Sequence, residues 1–391
     1  MPEKQHIRLG YVPLTDSLPL IVARELGYFE DEGLDVSLQR ETSWATLRDR
    51  VLVGQLDGAQ MLAPMLLSAS LGLCGIRKQM VTSWSLGLNG NAITVSPTLF
   101  RGLVALAEES TPAGTVEALK RVIESRRRNA QPQLVLAIVF PFSCHAYLLR
   151  YWLAMAGIDP DRDVKIVVLP PSQMVDHLRM GHIDGFCVGE PWNSVAALTG
   201  VGHCIVSGYD IWQNSSEKVL GVTQDWAQQH PQTLSGLMRA LYRAGQYVEA
   251  NLSESVTLLT EGHYIDLPAE LLNVSLSGRL PGGLTGAPIP AYHFHTFSRH
   301  QANFPWRSHA QFLLGQMIRW GQLPNDGNLQ PLVAQCYRTD LYRAAMRGIA
   351  SVPLEDVKQE GLHADNWVMP GDPEEIELGP DLLVDGNIFV P

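Results

Sequence analysis

Lys218 lies in Glu217-Lys218-Val219-Leu220-Gly221, a cation at the edge of an apolar run. Taken alone, the Glu217 and Lys218 pair reads as an ordinary surface ion pair. A lysine turned inward would instead give a small anion one fixed positive charge. His145 follows Phe140-Pro141 and opens a helical stretch. A lone histidine is most often a satisfied core residue, but a helix start is also where anions bind. Trp44 comes after Thr42-Ser43 at another helix start. There hydroxyls can cap or donate, and an indole can pack, stack or offer its N–H. Asn89-Gly90-Asn91 has the composition of a turn. Glu190, in Val188-Gly189-Glu190-Pro191-Trp192, ends an apolar strand. Its plain reading is a cleft carboxylate that accepts from a backbone N–H; the sharper one makes it the partner of Lys218.

Other chemistries find little support. His293, His295, His300 and His309 suggest zinc, but they sit among Tyr292, Phe294 and Phe297 with no cysteine or carboxylate at ligand spacing, so packing is expected. Cys74, Cys144, Cys187, Cys204 and Cys336 are odd in number and form no C-x-x-C pair, which points to buried small hydrophobes. No G-x-S-x-G elbow, H-E-x-x-H or P-loop occurs. No enzyme activity, metal or cofactor is expected.

These residues need a frame of matching size. The 391 residues exceed what one hydrophobic core usually serves, so two lobes are expected. A formal net charge of -11 argues against direct nucleic-acid binding, which needs a clustered basic face. The one basic cluster, Arg126-Arg127-Arg128, reads as a solvated helix end. No apolar run approaches the roughly 18 to 20 residues of a bilayer span, so no membrane contact is expected. Met1-Pro2-Glu3-Lys4-Gln5-His6 shows no signal-peptide pattern, which predicts a cytoplasmic protein.

The first hundred residues alternate strand and helix patterns at the spacing of a parallel α/β sheet. Strands are predicted at 7–12, 34–38 and from 59, helices over 18–26 (stopped by Gly27) and 46–56. From Ala92 the chain is expected to enter a second lobe, with strands near 134–140, 164–169 and 185–188 and helices near 116–127, 146–156 and 172–180. It returns near 204–222. Residues 1–93 and 221–391 would form lobe one and 94–220 lobe two, with crossovers near 92–96 and 204–222. Residues after about 225 read as largely helical to Gln322, and the rest as irregular structure wrapping lobe one. Two crossovers give a hinge, with ligand between the lobes.

Several segments together resemble the nitrate and bicarbonate binding-protein family of ABC importers. The opening Leu9-Gly10-Tyr11-Val12-Pro13-Leu14-Thr15 is similar to the wider group of substrate-binding proteins. More specific are Ser43-Trp44, Asp57-Gly58-Ala59-Gln60, Leu88-Asn89-Gly90-Asn91, Cys144-His145, Pro170-Pro171-Ser172, Gly189-Glu190-Pro191-Trp192, Glu217-Lys218 and Asn303-Phe304-Pro305-Trp306. The resemblance covers most of the chain. It implies a two-lobed periplasmic-binding-protein-like fold of type II. It also implies an oxyanion, nitrate or nitrite, held by Trp44, Asn89, His145 and Lys218, with Glu190 nearby and Pro171 and Val188 walling the pocket. The family often carries Gln where this chain has Asn89, and Gly-Gly-Thr where it has Phe142-Ser143-Cys144. Bicarbonate receptors bind calcium, which would give Glu190 a cation role, but no acidic cluster with calcium-loop spacing accompanies it.

Three functions follow. The chain resembles the cytoplasmic nitrate or nitrite sensor that restrains a response-regulator-like, RNA-binding antiterminator of nitrate assimilation. The alternative is the binding subunit of a nitrate, nitrite or bicarbonate ABC importer. A thiamin-pyrimidine synthase on the same fold is the remote third, since this chain lacks those enzymes' closely spaced cysteines.

Overall fold

A computed structural model describes residues 6–285, 288–290, 293–325 and 327–390. Met1 to Gln5 and Tyr292, used in the reading above, lie outside the described residues. Two five-stranded sheets organise the chain. In the first, β1 (His6–Tyr11) pairs in parallel with β2 (Asp35–Arg40) and β3 (Gly58–Leu62). Two strands distant in sequence complete it: β4 (Met80–Val81) and β10 (Lys218–Thr223), the latter antiparallel to both β3 and β4. The second sheet runs β9 (His203–Ser207), β5 (Asn91–Val95), β8 (Gly185–Gly189), β6 (Val135–Ile138) and β7 (Lys165–Val168). The chain therefore passes between sheets twice, through residues 82–90 and 208–217, and the molecule is a two-lobed α/β structure as expected.

The strands and helices form where apolar periodicity and punctuation place them. Strands β3, β5 and β8 are buried along their whole length, as expected of central strands covered on both faces. The helix Leu18–Glu25 ends at Gly27, whose φ of 72° closes the turn without steric penalty. Arg126, Arg127 and Arg128 form the last turn of the helix Pro112–Arg128.

Two stretches differ from expectation. Residues 277–306, expected to be helical, are mostly irregular, because Pro281-Gly282-Gly283 breaks any helix and both glycines take positive φ. The tail, expected to be irregular, carries the helices Gln330–Cys336 and Thr339–Met346. Pro331 occupies the first turn of its helix, where a missing N–H costs nothing. The tail packs on the helix Pro231–Ala250 and then reaches the other lobe, where Asp385 accepts from the Tyr151 hydroxyl at 2.9 Å. Among the described residues no helix is long and apolar enough to cross a membrane.

Candidate functional site

Two serine-capped helices and one strand end converge on a buried polar cluster. Ser43 accepts from the Thr46 N–H and so caps the helix Trp44–Leu52, whose first residue is Trp44. Ser143 accepts from the Ala146 N–H and caps the helix Cys144–Met155, placing His145 in its first turn. Lys218 opens β10, opposite Leu62. All three side chains are buried. The Lys218 ammonium stands 5.3 Å from the centre of the Trp44 ring.

Lys218 is held by two carboxylates. Its Nζ is 2.8 Å from Asp16 Oδ2 and is also hydrogen-bonded to Glu217 Oε1. Burial alone would lower its pKa; Asp16 and Glu217 overcome that and hold the ammonium above its ordinary range. Asp16 is fixed in turn by Gln60, whose Nε2 donates to Oδ1 at 2.6 Å while its Oε1 accepts from the Val12 N–H. Asn91 donates to Glu217 Oε2.

Against this paired core stand groups with no partner. Trp44 Nε1, both ring nitrogens of His145 and Asn91 Oδ1 are buried without a hydrogen bond. His145 Nδ1 is 3.7 Å from Glu217 Oε1, too far to bond well. Burial, reinforced by Lys218, keeps the His145 imidazole well below its usual pKa, so it is neutral with one N–H to give. Buried donors left unmade cost roughly 1 to 3 kcal/mol each. A cluster that gathers two such donors beside a charged ammonium is built to receive acceptor atoms.

The structure thus joins Trp44, His145 and Lys218 and separates the other expected residues. Asn89 sits beside the cluster in sequence only two residues from Asn91, but its side chain is committed elsewhere: Oδ1 accepts from the Ser215 N–H at 2.9 Å and Nδ2 donates to the His293 carbonyl at 2.8 Å. It latches one crossover to the other rather than offering a free donor. Glu190 is not the carboxylate on Lys218. Its Oε2 accepts from the Ser194 N–H at 3.2 Å, the plainer of its two expected roles, and its Oε1 has no partner. Burial pushes its carboxyl up to about 8, so it is largely neutral at pH 7. Pro171 lines a cavity of about 80 Å³ between the lobes, with Val12, Arg40, Thr42 and Trp192 among its walls. Val188 is buried in β8, and its carbonyl accepts from Asn193.

Sequence reading missed Asp16, Gln60, Asn91 and Glu217. One available signal was position, since Asp16 follows the carboxyl end of β1, where ligands of α/β sheets gather, and antiparallel pairing sets Asn91 beside Gly189 at the carboxyl end of β8. The histidines read for zinc do not converge. His295 bonds Thr15 Oγ1 at 3.1 Å and stacks on Phe297, His293 stacks on Tyr209, and His309 packs against Trp212.

With this geometry in hand, the chain matches the model of the NMT1-like family over residues 1–259. It belongs to that family. It is similar to the nitrate import ATP-binding protein NrtC and the bicarbonate transport ATP-binding protein CmpC of Synechocystis, with 36% and 39% identity over 95% and 88% of the chain. The chain spans about half the length of those two relatives, 54% and 50%. It is 30% identical to the nitrate/nitrite binding protein NrtA of Synechococcus elongatus, covering 99% of the chain and 87% of NrtA. The crystal structure of the periplasmic nitrate-binding protein NrtA from Synechocystis superposes with a TM-score of 0.85 at 27% identity, over 99% of this chain and 96% of that one.

Proposed function

We propose that this chain binds nitrate or nitrite between its lobes, at the cluster formed by Trp44, His145 and Lys218, and does not transform it. The observation that carries the reading is the pair of unpartnered buried donors, the Trp44 and His145 N–H groups, beside one buried ammonium. A small planar oxyanion spreads its charge over several acceptor oxygens, and that donor set matches it. The NrtA relatives support the ligand. CmpC supports bicarbonate as the second reading, and the site carries a feature that favours it: Glu217 and Asn91 Oδ1 are acceptors that an O–H of bicarbonate can satisfy.

We read the protein as a cytoplasmic sensor whose lobe closure is sensed by a soluble partner, the response-regulator-like antiterminator that the resemblance implies. The relatives of higher identity are named for nitrate import and bicarbonate transport, which supports the importer's binding subunit as the second reading. Calorimetric titration of the purified chain with nitrate, nitrite, bicarbonate and an alkanesulfonate tests the ligand. Saturable one-to-one nitrate or nitrite binding is expected, and its absence overturns the reading. Fractionation of cells making the native protein tests the compartment, and an exported protein belongs to the importer class instead.

A further inference from the structure

The charges around Lys218 do not balance. From the turn after β1, Asp16 faces the ammonium; from the residue before β10, Glu217 does. The other titratable groups packed around them contribute no charge. His145 and His295 are kept neutral by burial, His295 with its pKa lowered to about 4. The Cys144 and Cys187 thiols are pushed up by burial, and the Glu190 carboxyl up to about 8. With both carboxylates ionised, the cluster carries one positive and two negative charges before any ligand arrives. A monoanion would leave two uncompensated negative charges out of water, which interiors do not tolerate.

One of the two carboxylates is placed to give way. Both carboxylates are engaged, Asp16 by Gln60 and Lys218 and Glu217 by Lys218 and Asn91, but the Asp16 side chain keeps 10% exposure against 1% for Glu217, and Glu217 is the one beside His145. Glu217 is fully buried, and burial raises its pKa against the opposing pull of Lys218. Its Oε1 also stands on the side of His145 Nδ1, among the donors an anion would take. A carboxylate is itself a planar oxyanion, so ionised Glu217 competes for the same donors. Protonated, it can keep the bond from Asn91 on one oxygen, release Lys218, and turn its other oxygen into a donor.

We propose that the anion enters together with one proton from solvent, which Glu217 takes up, so that Glu217 ties oxyanion affinity to pH. The balance is simple: one anion and one proton are added, and no covalent bond of the ligand changes. This rests on the oxyanion reading of the site, and nitrate is the probe that separates the two. As the base of a strong acid nitrate brings no proton of its own, so any proton taken up belongs to the protein.

The test is titration of the full chain with nitrate in pairs of buffers with different ionisation heats, at several pH values from 7 to 9. Close to one proton per nitrate is expected on the alkaline side, with affinity falling about tenfold per pH unit there. Glu217→Gln should bring uptake near zero, flatten the pH profile and bind nitrate at pH 8 more tightly than the unaltered chain. Nitrate binding without proton uptake overturns the proposal and leaves the oxyanion site standing, as does uptake that persists in Glu217→Gln. If that variant does not fold, the buffer comparison on the unaltered chain decides. Failure of nitrate to bind at any pH overturns both.

Discussion

Removing the Lys218 ammonium leaves Asp16 and Glu217 facing each other across a buried space, so the variant loses both the charge an anion needs and the one that holds the carboxylates. Lys218→Ala should weaken nitrate binding by roughly 2 to 4 kcal/mol, the usual cost of truncating one partner of a buried charge pair. Unchanged affinity in a chain with native circular dichroism would place the site elsewhere. Glu190 makes a separate prediction about stability. Its pKa is raised from an ordinary 4.5 to about 8 in the folded protein. The folded state therefore binds the proton more tightly, so this contribution is fully present below pH 4.5, declines as pH rises, and is lost above about pH 8. Glu190→Gln should remove that decline, and urea melts across pH 5 to 9 should show the variant gaining on the unaltered chain as pH rises. Parallel profiles would refute it. At this scale the sequence was legible in part. Trp44 and His145 each follow a serine that caps a helix, a local signal, whereas Glu217 and Asp16 are ordinary acids in sequence. Only the fold reveals that both are buried against one ammonium.

Elements explain why Asn89 was expected at the ligand and is found bonding one crossover segment to the other. Residues 88 and 89 pair with His295 and Thr296, and Asn89 also bonds Ser215, so both crossovers and the 293–298 segment meet at one residue. Asn89 holds φ of 63°, a left-handed conformation that asparagine tolerates far better than alanine. Next to it, Gly90 has φ of 93°, and a Cβ there would come within 2.6 Å of the His295 ring. Asn89-Gly90-Asn91, read as a turn, is instead a kink of positive φ at Asn89 and Gly90 between the strand Leu88–Asn89 and β5, while the partners of Asn89, Ser215 and His293, lie 126 and 204 residues onward and are invisible to local pattern. Asn89→Ala adds strain and deletes the side-chain hydrogen bonds to Ser215, His293 and Asn214, so thermal unfolding should report a loss of about 2 kcal/mol or more. Asn89→Gly keeps the backbone and should lose less. Equal losses would show that strain is not part of the cost. The helical elements were legible where apolar periodicity was long, and the tail helices were not, because they are only seven and eight residues long in a stretch where Pro, Gly and Asp are frequent.

At the scale of the molecule, the sensor reading requires that something sense the lobes' separation, and the tail touches both lobes. It packs on the first lobe through Thr339–Met346. Beyond that, Glu360 accepts from Trp212 Nε1 at 3.1 Å, Leu382 accepts from the Gln213 N–H at 3.0 Å, and Asp385 holds Tyr151. In that reading a rotation about the crossovers would shift these contacts together, and a protein docked across the tail would then have different affinity for open and closed forms. In the sensor reading the partner holds the open form, and an anion bridging Trp44, His145 and Lys218 stabilises the closed one. The antiterminator complex should then form without ligand and dissociate when nitrate is added. Linkage fixes the reciprocal effect: if nitrate weakens the partner tenfold, the partner weakens nitrate tenfold, a coupling of about 1.4 kcal/mol. Pull-down with and without about 1 mM nitrate, well above a micromolar dissociation constant, gives the first half, and nitrate titration of the preformed complex gives the second. A complex indifferent to nitrate would sink the sensor reading. A one-sided effect would mean that the two measurements are not reporting one equilibrium, since binding free energies around a closed cycle must sum to zero.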